Sequence, residues 1–176
     1  MEILYEGDFV LTKSGSKDFG EITPEISKII CRQAGKIRFQ KGFQNPKNDR
    51  DGFGEAHFNR NKRMAQIKEA GYECARDFVE DISVNFTKIY QGKGFSLILV
   101  KESEKNAMEY IQLKPFVDGD FWEVTSGHLV RKDMFKSKTP LLNKPKAVPS
   151  SQIQEGRSPT NSQSESPSAI SDSSDI

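Results

Sequence analysis

Two short stretches of the chain hold the residue types that acid–base chemistry on a phosphodiester requires. The first is DGFGEAHFNRNKR, residues 51–63. His57 falls near the start of a helix expected from about Phe53 or Gly54 to about Ala70, ended by Gly71. On such a helix His57, Arg60 and Asn61 share one face at i, i+3 and i+4, with Lys62 and Arg63 close by. Cations beside an imidazole lower its pKa, which favours the neutral form that a general base needs. An ordinary exposed helix face fits the same pattern.

The second stretch is WEVTSGHLVRKD, residues 122–133, with Glu123, Thr125, Ser126, His128, Arg131 and Lys132 within ten positions. Strand alternation puts Val124 and Ser126 on one face, and Glu123 and Thr125 on the other. A polar edge hairpin is the competing reading. Lys88, Lys101 and Lys114 recur on successive expected strands, as a phosphate-binding face or as solvated strand edges. Tyr90 and Tyr110 suit either base stacking or packing, and Trp122 reads as a core anchor.

Cleavage of RNA beside its 2′-hydroxyl needs little more than these groups. A base takes the hydroxyl proton, an acid protonates the leaving oxygen, and cations or hydroxyls hold the phosphorane charge. The substrate supplies its own nucleophile, so DNA is not cleaved this way. The sequence has no P-loop, GxGxxG, HExxH or EF-hand pattern, and only two histidines, His57 and His128. Neither a metal nor another cofactor is expected. Cys31 and Cys74 form no CxxC pair and read as two reduced, buried thiols.

The elements that must carry these groups follow from periodicity. ITPEISKIICRQAG reads as a short helix with Thr23 as N-cap and Pro24 at the first position. Its apolar face is Ile26, Ile29 and Ile30, and Gly35 ends it. KIRFQKG alternates, with Ile37 and Phe39 on one side. CARDFVEDISVN reads as a helix with Ala75, Phe78, Val79 and Ile82 inward. After Asn85 the period changes to two. Four or five antiparallel strands are expected: TKIYQG, FSLILVKE, AMEYIQLKP, DFWEVTSG and HLVRKDMF. The expected class is α+β, with N-terminal helices packed on a four- to five-stranded antiparallel sheet.

Composition divides the chain. Residues 149–176 contain no aromatic residue, ten serines and a net charge of −3, so the first 148 residues carry +4. A segment so poor in apolar surface cannot offset its conformational entropy and reads as disordered. The expected organisation is an N-terminal extension with a short helix over 1–32, an α+β domain over 33–140 and a serine-rich tail over 141–176. The opening MEILYEGDFVLTK lacks the basic and apolar regions of a secretory signal, and the longest apolar run, Leu97–Val100, is too short to span a bilayer.

GFGEAHFNRN, AGYECARDFVEDISVNFTKIYQG, SLILVK, EYIQLKP and DFWEVTSGHLVRKD together resemble phage-type members of the barnase–EndoU–colicin–RelE-like ribonuclease superfamily. The resemblance covers roughly residues 33–140. It implies helices preceding an antiparallel sheet and a metal-independent endoribonuclease, usually a toxin against translation or tRNA. Such domains are often encoded by phages or mobile elements and act in the bacterial cytoplasm. It implies RNA as substrate, a cognate inhibitor protein as a further partner, and no membrane association. By position His57 matches the family's helix histidine, Thr125 and Ser126 its polar pair on the last strand, and Lys88 a basic residue on the first. Many relatives carry a second His or an Arg-His pair further along the helix, where this chain reads NRNKRMAQI.

The catalytic set expected is therefore His57, Arg60, Arg63, Lys88, Thr125 and Ser126. Lys62, Lys101, Lys114, His128, Arg131 and Lys132 are expected to contact RNA. A non-catalytic RNA-binding or phage-structural module of the same fold is the alternative.

Overall fold

The structure is a computed structural model that describes residues 2–103, 107–116 and 119–144. All of them lie in one unit, Met1–Lys144, so the expected disordered tail lies almost wholly outside the described residues.

The chain begins with strands. β1 (Tyr5–Glu6) and β2 (Phe9–Val10) form a small hairpin, and β3 (Gly20–Ile22) leads into α1 (Pro24–Ile30). The start of α1 follows the sequence: the Ile26 backbone N–H donates to Thr23 Oγ1 at 3.2 Å, and Pro24 occupies the first turn. Its end does not. Cys31 adopts a left-handed conformation (φ 57°), and its N–H donates to the Ser27 carbonyl, so the helix stops before Gly35. Ile30 is buried, whereas Ile29 is 59% exposed and does not belong to the expected apolar face. Cys31 is exposed and Cys74 half-buried, so neither thiol is the fully buried one expected.

β4 (Gly35–Arg38) follows, then a second hairpin of β5 (Phe43–Gln44) and β6 (Gly52–Phe53). Ile37 and Phe39 are both fully buried, as their alternation requires. The expected helix of residues 53–70 is two helices, α2 (Gly54–Phe58) and α3 (Asn61–Glu69). The break has a local cause. Arg60 takes an extended backbone (φ −64°, ψ 142°), and its Nε–H donates to the His57 carbonyl at 2.7 Å. That carbonyl would otherwise accept the next helical N–H.

α4 (Ala75–Asn85) buries Ala75, Phe78, Val79 and Ile82, as its 3.6-residue period predicts. Four strands follow, β7 (Lys88–Gln91), β8 (Leu97–Glu102), β9 (Ala107–Pro115) and β10 (Phe121–Arg131). A 3₁₀ turn (Lys132–Phe135) and β11 (Leu142–Asn143) close the described chain. The two strands expected at 120–127 and 128–135 are one strand, because β9 pairs with β10 from Trp122 to Arg131.

The sheet corrects the expected fold class. Among the described residues it has seven strands in the order β11-β7-β8-β9-β10-β4-β3, not four or five, and it is mixed. β10 runs parallel to β4 through Phe121↔Lys36, Trp122↔Ile37 and Glu123↔Arg38. Strands precede the first helix, so this is not a set of N-terminal helices on an antiparallel sheet. The parallel pair joins segments more than 80 residues apart in sequence, which no local period encodes.

One face of the sheet carries the main core. Leu97, Leu99, Ile111, Leu113, Trp122 and Val124 pack there with Phe78, Val79 and Ile82 of α4. Trp122 is buried and donates Nε1–H to the Gln33 carbonyl at 3.1 Å. A smaller cluster of Tyr90, Val100, Met108 and Phe135 lies apart from it. Among the described residues no helix is long and apolar enough to cross a membrane.

β4 pairs with β10 only as far as Glu123. Beyond that point no described strand is hydrogen-bonded to that flank of β10, and α2, α3 and β6 lie against β10. This places the polar helix segment beside the polar half of the strand. Gly127 permits the approach. A Cβ there would stand 2.6 Å from the Phe58 ring, which is fully buried against β10.

Candidate functional site: a cationic cleft around His57

His57 is 8% exposed, and each ring nitrogen has a defined partner. Nδ1 stands 2.6 Å from Gln44 Oε1. The Gln44 amide is oriented by its own nitrogen, which donates to the Asn45 and Asn48 carbonyls at 3.1 Å each. Its oxygen therefore faces the ring, and Nδ1 must carry the proton. On the other side Arg60 Nη2 lies 3.3 Å from His57 Nε2. A guanidinium only donates, so Nε2 holds a lone pair. The surroundings thus select the neutral Nδ1–H tautomer. Burial lowers the His57 pKa from its ordinary value, and the charges of Arg60 and then Arg63 lower it further.

The hairpin that supplies Gln44 also needs Gly52. A Cβ on Gly52 would collide with Gln44 Oε1 and stand 2.8 Å from His57 Nδ1. Arg60 is braced in turn by the loop of this hairpin, donating Nη1 to the Asp49 carbonyl at 2.9 Å.

Thr125 and Ser126 face His57 across a cleft of about 400 Å³, which Arg60, Arg63, Arg50 and Lys114 also line. Strict alternation would have sent the two hydroxyl residues to opposite faces. A bulge overrides it: Val124 pairs with Leu113 and Ser126 with Gln112, leaving Thr125 as the extra residue. Thr125 Oγ1 donates to the Gln112 carbonyl at 3.3 Å. Its lone pairs remain acceptors, and the hydroxyl can turn toward a ligand only by giving up that bond.

Arg63 is the group in the cleft with an unmet need. Its Nε is buried without a hydrogen-bond partner, while Nη1 donates to Gln66 Oε1 at 3.2 Å. Burial, and then the charge of Arg60, lower its pKa. A desolvated guanidinium beside another cation is stabilised by an incoming anion. Among the described residues Asp49 is the one carboxylate lining this cleft, against four cations.

A second hollow of about 920 Å³ adjoins the cleft and shares Asp49, Arg50, Arg60 and Arg63 with it. Lys62 and His128 line this hollow. Burial pushes the His128 pKa down to about 4, aided by Arg63, Arg60 and Lys62. The fold therefore brings both histidines into the field of the same two arginines.

The remaining expected residues lie elsewhere. Lys88 pairs with Glu102 at 3.4 Å, and Lys132 reaches the same carboxylate at 3.7 Å. Both line a separate pocket beside Tyr90 and Phe135. Lys101 is bound to Asp81 of α4 and lies 3.4 Å from the Tyr72 hydroxyl, while Arg131 is exposed and pairs with Asp133 at 3.6 Å. Lys88, Lys101 and Lys114 thus share no phosphate-binding face. Gln44, Arg50, Gly52 and Gln112 belong to the site and were not expected there. Three of them, Gln44, Arg50 and Gly52, belong to the β5–β6 hairpin.

Among the described residues no group of three or more His, Cys, Asp or Glu side chains is placed to hold a metal ion. Compared with family models, with curated proteins and with solved structures, the chain finds no match in any of the three.

Proposed function

We propose that this chain is a metal-independent endoribonuclease that uses the 2′-hydroxyl of its substrate as nucleophile. The observation that carries the reading is the His57 ring, held neutral with its Nε2 lone pair in a cleft lined by Arg63, Thr125 and Ser126. The proposal rests on this site and not on the overall topology, which departs from the one the family resemblance implies.

In the proposed reaction a phosphodiester displaces Arg60 Nη2 from His57 and pairs with the Arg63 guanidinium that lines the cleft. His57 Nε2 removes the 2′-hydroxyl proton. The 2′-oxygen bonds to phosphorus and the bond from phosphorus to the 5′-oxygen breaks. The departing oxygen takes a proton from water in the open cleft, because His128 is neutral near neutral pH and gives none, and the hydroxide left behind takes back the proton held on His57. Arg60 and Arg63 stabilise the charge on the non-bridging oxygens, and the Thr125 and Ser126 hydroxyls position them. The products are a 2′,3′-cyclic phosphate and a 5′-hydroxyl. Lys88 has no part in this scheme.

A second reading, an RNA-binding module without catalysis, is favoured by one observation. His57 Nε2 is already engaged by Arg60 in the free protein. Incubating the purified chain with total RNA and a chelator separates the two. The nuclease reading expects cleavage that persists in chelator and is lost in a folded His57→Ala variant, by about 10²- to 10⁴-fold. Salt-dependent binding without cleavage supports the module, and cleavage abolished by chelator overturns the metal-independent scheme.

A further inference from the structure

We propose that His128 is a stacking platform for one nucleobase of a single-stranded RNA, seated in the hollow that adjoins the cleft. This deepens the nucleic-acid reading of the same site and rests on it. His128 lies directly across from Tyr110 in the β9–β10 register, so both rings stand on one face of the sheet. Their centroids are 6.0 Å apart and their planes 22° from parallel, an offset stack. Tyr110 is held in place. Phe135 meets it edge-on at 6.0 Å and 82°, and Phe135 is itself stacked on Tyr90 at 4.7 Å. The imidazole therefore rests on a braced ring and contributes to the wall of the hollow.

Four further features fit a base and not merely an anion. The hollow, about 920 Å³, falls in the size range of small-molecule sites, roughly 300–1,000 Å³. Carboxamides of Asn59, Asn61 and Gln66 line it, and such groups both donate and accept, as base edges do. Arg60 and Arg63 line both hollow and cleft, so a phosphate held there leaves one adjacent base on the His128 side. The depressed His128 pKa keeps the ring uncharged near neutral pH, so stacking does not bury a cation.

The test is equilibrium binding of the full chain to a six-nucleotide 2′-O-methyl oligoadenylate, which offers no nucleophile, and to its abasic counterpart. The proposal expects the wild type to prefer the base-bearing oligomer about 5- to 150-fold, the range set by one base–aromatic stack. His128→Ala is expected to lose that preference while abasic binding stays the same, and His128→Phe to restore it. Equal affinity of the wild type for both oligomers overturns the proposal, as does a His128→Phe variant that behaves like His128→Ala. Failure of the nuclease reading is distinct. A chain that cleaves no RNA yet shows the His128-dependent preference retains the platform, and a chain that cleaves RNA without the preference loses it.

Discussion

Gln44 Oε1 accepts the Nδ1 proton of His57 at 2.6 Å, and through this bond a strand residue of a β-hairpin sets the tautomer of a helix histidine. The arrangement resembles the way outer partners orient metal-bound or catalytic imidazoles, where the bond at one nitrogen decides what the other can do.

Replacing that neutral acceptor by a charged one gives the sharpest prediction. Gln44→Glu places a carboxylate beside Nδ1 and stabilises the imidazolium, so the His57 pKa rises by about 1–3 units. The ascending limb of the pH–rate profile should move to higher pH by the same amount, and the ring resonances of His57 should titrate with it. An unmoved limb means that His57 is not the group whose ionisation controls the rate.

Gly52→Ala tests the space beside that bond. The added methyl collides with Gln44 Oε1, so the pair must separate or the hairpin must shift. Displacements of this size near a catalytic group cost about 10²-fold in rate. The measurement is kcat on an RNA oligomer, with the thermal midpoint as a control for folding.

Gly127→Ala acts on the scaffold. Its Cβ would press on the buried Phe58 ring at 2.6 Å, an overpacking expected to cost about 1–3 kcal/mol. Urea unfolding reads this directly. Cleavage should fall as well, because Phe58 follows His57 in the same short helix.

Stability should depend on pH through the histidines. The folded pKa of His128 is near 4 and that of His57 is also below the unfolded value of 6.5. Between the two values the unfolded chain binds more protons, so folding weakens as pH falls from 6.5 toward 4 and is unaffected above 6.5. His128→Phe should flatten the dependence of the urea midpoint in that window relative to wild type. An identical slope in the variant contradicts the assignment.

Lys88→Gln is expected to leave cleavage unchanged, since its ammonium pairs with Glu102 in a different pocket. A large loss of activity would mean that RNA extends to that pocket.

The local parts of this account were legible in the sequence. The Thr23 cap, the inward face of α4 and the alternation of Ile37 and Phe39 depend on neighbours a few residues away, and periodicity reports such neighbours well. The cluster of His57, Arg60 and Arg63 was legible for the same reason. The rest was not, because it depends on particular side-chain contacts or on partners distant in sequence, which periodicity does not report. The helix break at Asn59–Arg60 follows from a side chain capturing the His57 carbonyl. The bulge at Thr125 turns both hydroxyls into the cleft, against the alternation rule. β4 joins β10 in parallel through only three residue pairs. Lys88 and Lys101 fit a phosphate-binding face because they recur on strands, but ion pairs to Glu102 and Asp81 hold them elsewhere.

A DNA strand carrying a single ribonucleotide, incubated with the purified chain in the presence of a chelator, tests the central claim most directly. The account predicts one cut, on the 3′ side of the lone ribose, leaving a 2′,3′-cyclic phosphate that is absent from reactions of His57→Ala. Cutting at deoxyribose positions, or a cut that persists in His57→Ala, would contradict it.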